Sequence, residues 1–173
     1  MLPELTLVLG GAASGKSAFA ESLVKGTGRG LVYLATAQIH DNEMRAKVYH
    51  HKETRGAGWR TVEEPLDVGR TLAAISGDQA VLLDCATMWL SNHMLAENDL
   101  AEAEAGLMAG IALSAAPIVI VSNEVGLSVV PDNKLARDFR EAQGRLNQKL
   151  AQKAGLVVNV IAGLPQVLKG QLP

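Results

Sequence analysis

The amino-acid sequence predicts an α/β protein in three layers, a mostly parallel sheet with helices over both faces. Two observations carry the prediction. Five short apolar runs, at 5–9, 31–35, 80–83, 118–121 and 157–161, recur with longer helix-like stretches between them. Each run reads as continuous Val, Ile and Leu rather than alternating with polar residues, the pattern of strands buried on both faces of a parallel sheet. The length agrees: 173 residues with 48% hydrophobic content supply a sizeable core. No internal repeat, low-complexity tract or long Pro/Gly/Ser linker divides residues 1–173, so one domain is expected.

The first run leads into Gly10-Gly11-Ala12-Ala13-Ser14-Gly15-Lys16-Ser17, which fits G-x-x-x-x-G-K-[ST]. A strand turning sharply into a helix needs small residues, so that backbone N–H groups can close around phosphates. The helix then presents its positive dipole end to the anion. In such a loop Lys16 reaches the β and γ phosphates and Ser17 places its hydroxyl on Mg²⁺. A nucleoside triphosphate is the expected ligand.

The stretch 26–30 is a short turn into the second strand, and 41–51 is expected to be a helix capped by Asp41. At about 100° per residue Met44, Val48 and His51 share one stripe, whereas His50 lies about 120° from Met44. His51 is therefore the packed histidine and His50 the one open to a ligand. A metal site at the pair is disfavoured, because adjacent helix positions point apart and no further ligand cluster accompanies them. Ligands of parallel sheets bind at the carboxyl ends of the strands. That directs attention to Asp84 after the third run, where an acidic residue can hold Mg²⁺ or merely cap a turn, and to Ser122-Asn123-Glu124-Val125-Gly126 after the fourth. Cys85 reads as a small buried filler. Glu63 and Glu64 read on spacing alone as solvated carboxylates. The last long helix is expected over 132–154, entered through Pro131 and Asp132, with Leu135, Phe139, Ala142, Leu146 and Leu150 on the sheet side. Arg137, Arg140 and Arg145 lie off that stripe, on a face read as solvated, with an anion site or a subunit contact as the alternative.

Composition narrows the partners. Sixteen Lys+Arg against 18 Asp+Glu give a net charge of −2, and aromatics are only 3%, so neither a basic surface nor a stacking platform for nucleic acid is expected. No apolar run approaches the ~20 residues of a membrane span. A single cysteine and no leader-like segment before the first strand favour the cytoplasm. The residues alone leave open a small-molecule kinase and a nucleotide-dependent regulatory protein.

Further segments join the phosphate loop: Y-L-A-T-A-Q-I at 33–39, D-N-E-M at 41–44, H-H-K at 50–52 and W-R-T at 59–61. Later come S-N-E-V-G at 122–126 and V-P-D-N-K-L-A-R-D-F-R at 130–140 with N-Q at 147–148. In this order and spacing the chain resembles the bifunctional adenosylcobinamide kinase/adenosylcobinamide-phosphate guanylyltransferase family of cobalamin synthesis. The resemblance implies a RecA-like P-loop NTPase fold, a homotrimer and a corrinoid substrate. It implies phosphorylation of the adenosylcobinamide hydroxyl by ATP or GTP, then GMP transfer from GTP through a guanylyl-histidine. Matched position by position, that histidine is His50. The triphosphate falls on residues 10–17. Nucleotide contacts fall on Ala35, Thr36, Ala37, His51, Lys52, Glu53, Thr54, Glu63 and Asp84, and Mg²⁺ on Ser17 and Asp84. The chain departs from the family pattern at Ala13 for Arg, Ser128 for Gly, Glu141 for Asp and Asp84 for the Glu of some members. Ala13 removes one cation from the phosphate loop, leaving Lys16 and Mg²⁺ as countercharges.

Overall fold

The computed structural model describes residues 1–38, 56 and 58–173. The helix expected over 41–51 lies outside the described residues, and with it His50, His51, Lys52, Glu53 and Thr54. The described elements run β1 (Leu5–Gly10), α1 (Lys16–Lys25), β2 (Gly30–Ala35), β3 (Trp59–Glu63), α2 (Val68–Ala73) and β4 (Gln79–Asp84). They continue with α3 (Ala86–Leu95), α4 (Leu100–Leu113), β5 (Ile118–Asn123), α5 (Lys134–Lys153), β6 (Leu156–Ile161) and β7 (Leu164–Lys169).

The strands form one sheet in the order β3-β2-β4-β5-β1-β6-β7, parallel throughout except for the antiparallel β6–β7 pair. All five expected strands are present. Their alternate residues feed two cores, which is why they read as unbroken apolar runs. Leu5, Leu7, Leu34, Leu83 and Ile120 pack with Leu72, Trp89, Leu107, Leu146 and Leu150 beneath α2 to α5. On the other face Val8, Tyr33, Leu82, Val119 and Val121 pack with Ala20, Leu23 and Val24 of α1. No described helix is long and apolar enough to cross a membrane.

Two strands went unanticipated, and both lie at sheet edges. The residues of β3 are half-buried or exposed, and the polar pair Arg60-Thr61 separates Trp59 from Val62. Every residue of β7 is exposed, and Pro165 sits there at no cost to a sheet interior. The turn joining β6 to β7 has positive φ at both central residues, Ala162 (52°) and Gly163 (79°), the geometry that matches the twist of a two-residue hairpin.

The last helix begins later than its entry signals implied. Asn133 is its cap, its Oδ1 accepting the Ala136 N–H at 2.8 Å, so Pro131 and Asp132 precede the helix. Leu135, in its first turn, is 55% exposed and does not join the core, whereas Leu146 and Leu150 are fully buried. Arg137 and Arg140 are half-buried rather than solvated. Arg137 donates to the carbonyls of Pro131 and Asp132, and Arg140 to that of Gly126, so they fasten the loop between β5 and α5. Only Arg145 of the three stays exposed, paired with Glu141 one turn away.

Candidate active site

The parallel registers align the carboxyl ends of five strands. Gly10 of β1 pairs with Asn123 of β5, Val121 with Asp84 of β4, Asp84 with Ala35 of β2, and Ala35 with Glu63 of β3. Gly10, Asn123, Asp84, Ala35 and Glu63 therefore share one rim, and the phosphate loop rises from its β1 end.

Within the loop, geometry explains the small residues. A Cβ on Gly10 would stand 2.4 Å from Ser14 Oγ and 2.7 Å from the Val160 carbonyl. Gly15, with φ of 93°, caps α1 without a side chain, and the first turn carries no acidic residue. The earliest helical bond runs from the Phe19 N–H to the Gly15 carbonyl at 3.1 Å. The first-turn amides before it have no intrahelical acceptor and suit an anion. Lys16 Nζ donates across the loop to the Gly11 carbonyl at 3.0 Å. Ala13 holds φ of 53°, which costs a non-glycine residue on the order of 1 kcal/mol. The β6–β7 turn buttresses the loop from outside: the Gly163 N–H donates to the Ser14 carbonyl at 2.8 Å. Gly163 carries no clear signal in the sequence, because Ala-Gly is not one of the dipeptides that mark a two-residue hairpin.

Asp84 lies two strands from β1, about 10 Å at the ~4.8 Å spacing of a sheet. It is half-buried, and one carboxylate oxygen accepts the Tyr33 hydroxyl at 2.9 Å. Next to it, the Cys85 thiol is pushed up to about 11, first by burial and then by the Asp84 charge, so it is neutral at physiological pH and no nucleophile. Cys85 is the buried filler that the sequence indicated.

Thr36 turns its side chain inward. It is fully buried, its hydroxyl donates to the Cys85 carbonyl and accepts the Cys85 N–H, both at 2.8 Å, and its own N–H donates to the Asp84 carbonyl. Its side chain is thus committed within the protein, and Ala35 and Ala37, half-buried, are the members of that trio within reach of a ligand. Asn92 of α3 gathers this side of the rim. Its Nδ2 donates to the Thr36 carbonyl at 2.7 Å and to the Pro65 carbonyl at 3.1 Å, joining the exits of β2 and β3. Glu63 is exposed at the end of β3. Glu64 is no solvated carboxylate: it accepts the N–H groups of Leu66 and Asp67 and closes the turn. Likewise Glu124 accepts the Gly126 N–H at 2.8 Å, while its own N–H donates to the Gly10 carbonyl.

Among the described residues no group of three His, Cys, Asp or Glu side chains could cage a metal. A half-buried Ser17 at the start of α1 and a carboxylate at the same rim fit Mg²⁺ nonetheless, because that ion keeps several waters and binds through one or two protein oxygens plus substrate phosphates. A groove lined by Asp67, Arg70, His93, Asp99 and Glu102 runs between α2 and α4 and contains none of the expected site residues.

The comparisons agree with the geometry. Residues 6–168 match the model of the family described as cobinamide kinase / cobinamide phosphate guanyltransferase. The chain belongs to that family. It is 41% identical over 169 residues to the bifunctional adenosylcobalamin biosynthesis protein CobP of Pseudomonas aeruginosa, covering 95% of this chain and 97% of that one. It is also 41% identical over 182 residues to CobU of Salmonella typhimurium, covering 95% and 99%. Two solved structures share the fold at low identity. The flagellar accessory protein FlaH of Methanocaldococcus jannaschii superposes with a TM-score of 0.55 at 12% identity, over 99% of this chain and 80% of that one. The RadB recombinase gives 0.52 at 17%, over 91% and 74%. The fold is thus the RecA-like P-loop sandwich, and the chain is an enzyme of a family that combines a kinase and a guanylyltransferase.

Proposed function

We propose that this enzyme phosphorylates the aminopropanol hydroxyl of adenosylcobinamide with ATP or GTP, then transfers GMP from GTP to the new phosphate, giving adenosylcobinamide-GDP. The observation that carries the reading is a phosphate loop with an uncapped helix end at its base, in a chain matched to the family over residues 6–168. The residues of the loop hold the triphosphate, and Lys16 stabilises charge on its β and γ phosphates. Ser17 and Asp84 hold Mg²⁺, which neutralises charge on the phosphate oxygens when bound. Glu63, Ala35 and Ala37 line the nucleotide side of the rim, with His51, Lys52, Glu53 and Thr54 as further contacts. The enzyme works as a homotrimer in the cytoplasm, with the corrinoid in a cleft between subunits.

For the second reaction, the neutral imidazole of His50 attacks the α-phosphorus of GTP, and pyrophosphate leaves with the electron pair. The phosphoramidate then passes GMP to the corrinoid phosphate and restores the free imidazole. The test is incubation with GTP labelled at the α-phosphate. Protein-bound label should survive alkali and vanish in acid, because protonation of the phosphoramidate nitrogen makes it a good leaving group. His50→Asn should take up no label yet keep the kinase step, and His51→Asn should still label. Label on the His50→Asn protein would overturn the assignment.

A further inference from the structure

Asn123 ends β5 in register with Gly10, the first residue of the phosphate loop. Two helices fasten its backbone at once. Thr87 Oγ1 of α3 accepts its N–H at 2.8 Å, and Asn147 Nδ2 of α5 donates to its carbonyl at 3.2 Å. Below it the Ser122 hydroxyl donates to Asn147 Oδ1 at 2.6 Å, and Gln143 Nε2 donates to both of those oxygens at 2.9 Å. These three side chains are at most 6% exposed, and among the described residues Gln143 Oε1 has no hydrogen-bond partner. Burying so much polarity beneath a sheet costs stability relative to an apolar filling. Its effect is to immobilise one rim residue.

The direction of the Asn123 side chain follows from the pleat. Ser122 faces α5, so Asn123 faces the opposite side. Val119 and Val121, of the same parity, pack there with Ala20 and Val24 of α1. On that side the phosphate loop leads into α1. The Asn123 amide is half-buried, and among the described residues it bonds to no other group.

We infer that the Asn123 side-chain amide donates a hydrogen bond to the γ-phosphoryl group of the bound triphosphate, and so is a catalytic residue of the kinase step. This rests on the kinase reading above. The first-turn amides of α1 take the α and β phosphates, and Lys16 reaches back toward Gly11, so the γ end lies at the strand side of the loop, beside Gly10 and Asn123. In the transfer, the alcohol oxygen of the acceptor bonds to the γ-phosphorus while the bond from that phosphorus to the β–γ bridging oxygen breaks. The electron pair leaves with the nucleoside diphosphate, and the alcohol proton passes to water. Charge spreads over the three equatorial oxygens as this happens. A donor whose backbone is already fixed meets that charge without reorganising. Guanylyl transfer breaks the α–β linkage instead, at the far end of the triphosphate, and does not call on Asn123.

The experiment measures both steps in the full chain carrying Asn123→Ala or the isosteric Asn123→Asp. Phosphoryl transfer to adenosylcobinamide should lose about 100-fold in kcat in Asn123→Ala. The KM for nucleotide should stay within about 3-fold of the parent value. Asn123→Asp, with no donor and a negative charge at the same place, should lose at least as much. Label uptake from α-labelled GTP and the thermal midpoint should match the parent protein. A kinase kcat within about 3-fold of the parent in Asn123→Ala would overturn the proposal. So would an equal loss in both steps with a lowered midpoint, the mark of a loosened rim. A parent protein that takes up guanylyl label but transfers no phosphoryl group would sink the kinase reading, and this inference with it.

Discussion

Cys85 follows Asp84 on a rim crowded with polar groups, yet burial keeps its thiol protonated to about 11, against 9.0 for the free group. The consequence for stability has a definite sign. Between those two values the unfolded chain has lost the Cys85 proton and the folded chain has kept it, so the folded state binds more protons and stability falls as pH rises through the window. The loss reaches roughly 2–3 kcal/mol at the upper end. Thermal midpoints of the parent and Cys85→Ala proteins should therefore converge between pH 9 and pH 11, starting from a parent that is the more stable; parallel curves would contradict this. Single residues of the site were legible to different degrees. Gly15, Lys16 and Ser17 could be read because the chemistry of a phosphate loop is local, each residue acting within a few positions of the others. Asn92 could not, because its two acceptors, Thr36 and Pro65, stand 56 and 27 residues away and meet only once the sheet has formed. The bonds of the Thr36 hydroxyl were hidden for the same reason, since they run to the backbone of Cys85, 49 residues away.

Among the elements, α2 and α4 cross so closely that glycine is required at the contact. A Cβ on Gly110 would lie 2.1 Å from the Gly69 carbonyl oxygen, and one on Gly69 would lie 2.2 Å from that of Gly106. Gly106 itself has open space where its Cβ would stand. Gly110→Ala should accordingly destabilise the protein by about 1–3 kcal/mol. Gly106→Ala, one turn earlier on the same helix, should stabilise it by about 0.5–1 kcal/mol through helix propensity. Denaturant titration of the two variants side by side checks both signs. Strands were legible where burial on both faces made them continuous, as in β1, β4 and β5, and illegible at the edges. In β3 the exposed residues interrupt the apolar run, and in β7 there is no buried face to leave a pattern. The helix after β5 was legible in type but not in its first turn, where Asn133 supplies the cap and Arg137 reaches back to the loop before it.

At the scale of the molecule, apolar side chains stand unshielded at several places among the described residues. The loop after β5 exposes Leu127 and Val129 at 91% and 90%, and the edge strand exposes Leu164 and Leu168. An open edge strand with apolar neighbours invites pairing unless something covers it, and assembly of several copies is the reading that fits the proposed trimer. Light scattering at micromolar concentration should give three times the 18.2 kDa chain mass. Leu164→Lys or Leu168→Lys should shift that mass downward. A monomeric mass with full activity on adenosylcobinamide would show that one chain builds the whole site.

The strand order carries a consequence for the order in which the protein is made. Among the described elements β1 leaves the ribosome first, but its partners are β5 and β6, and the turn that props Ser14 contains Gly163. Throughout most of translation the phosphate loop therefore lacks both flanking strands and its prop, even though its own residues are complete. The surroundings of the phosphate loop are thus completed late in synthesis, once β5, β6 and the turn at Gly163 have joined it.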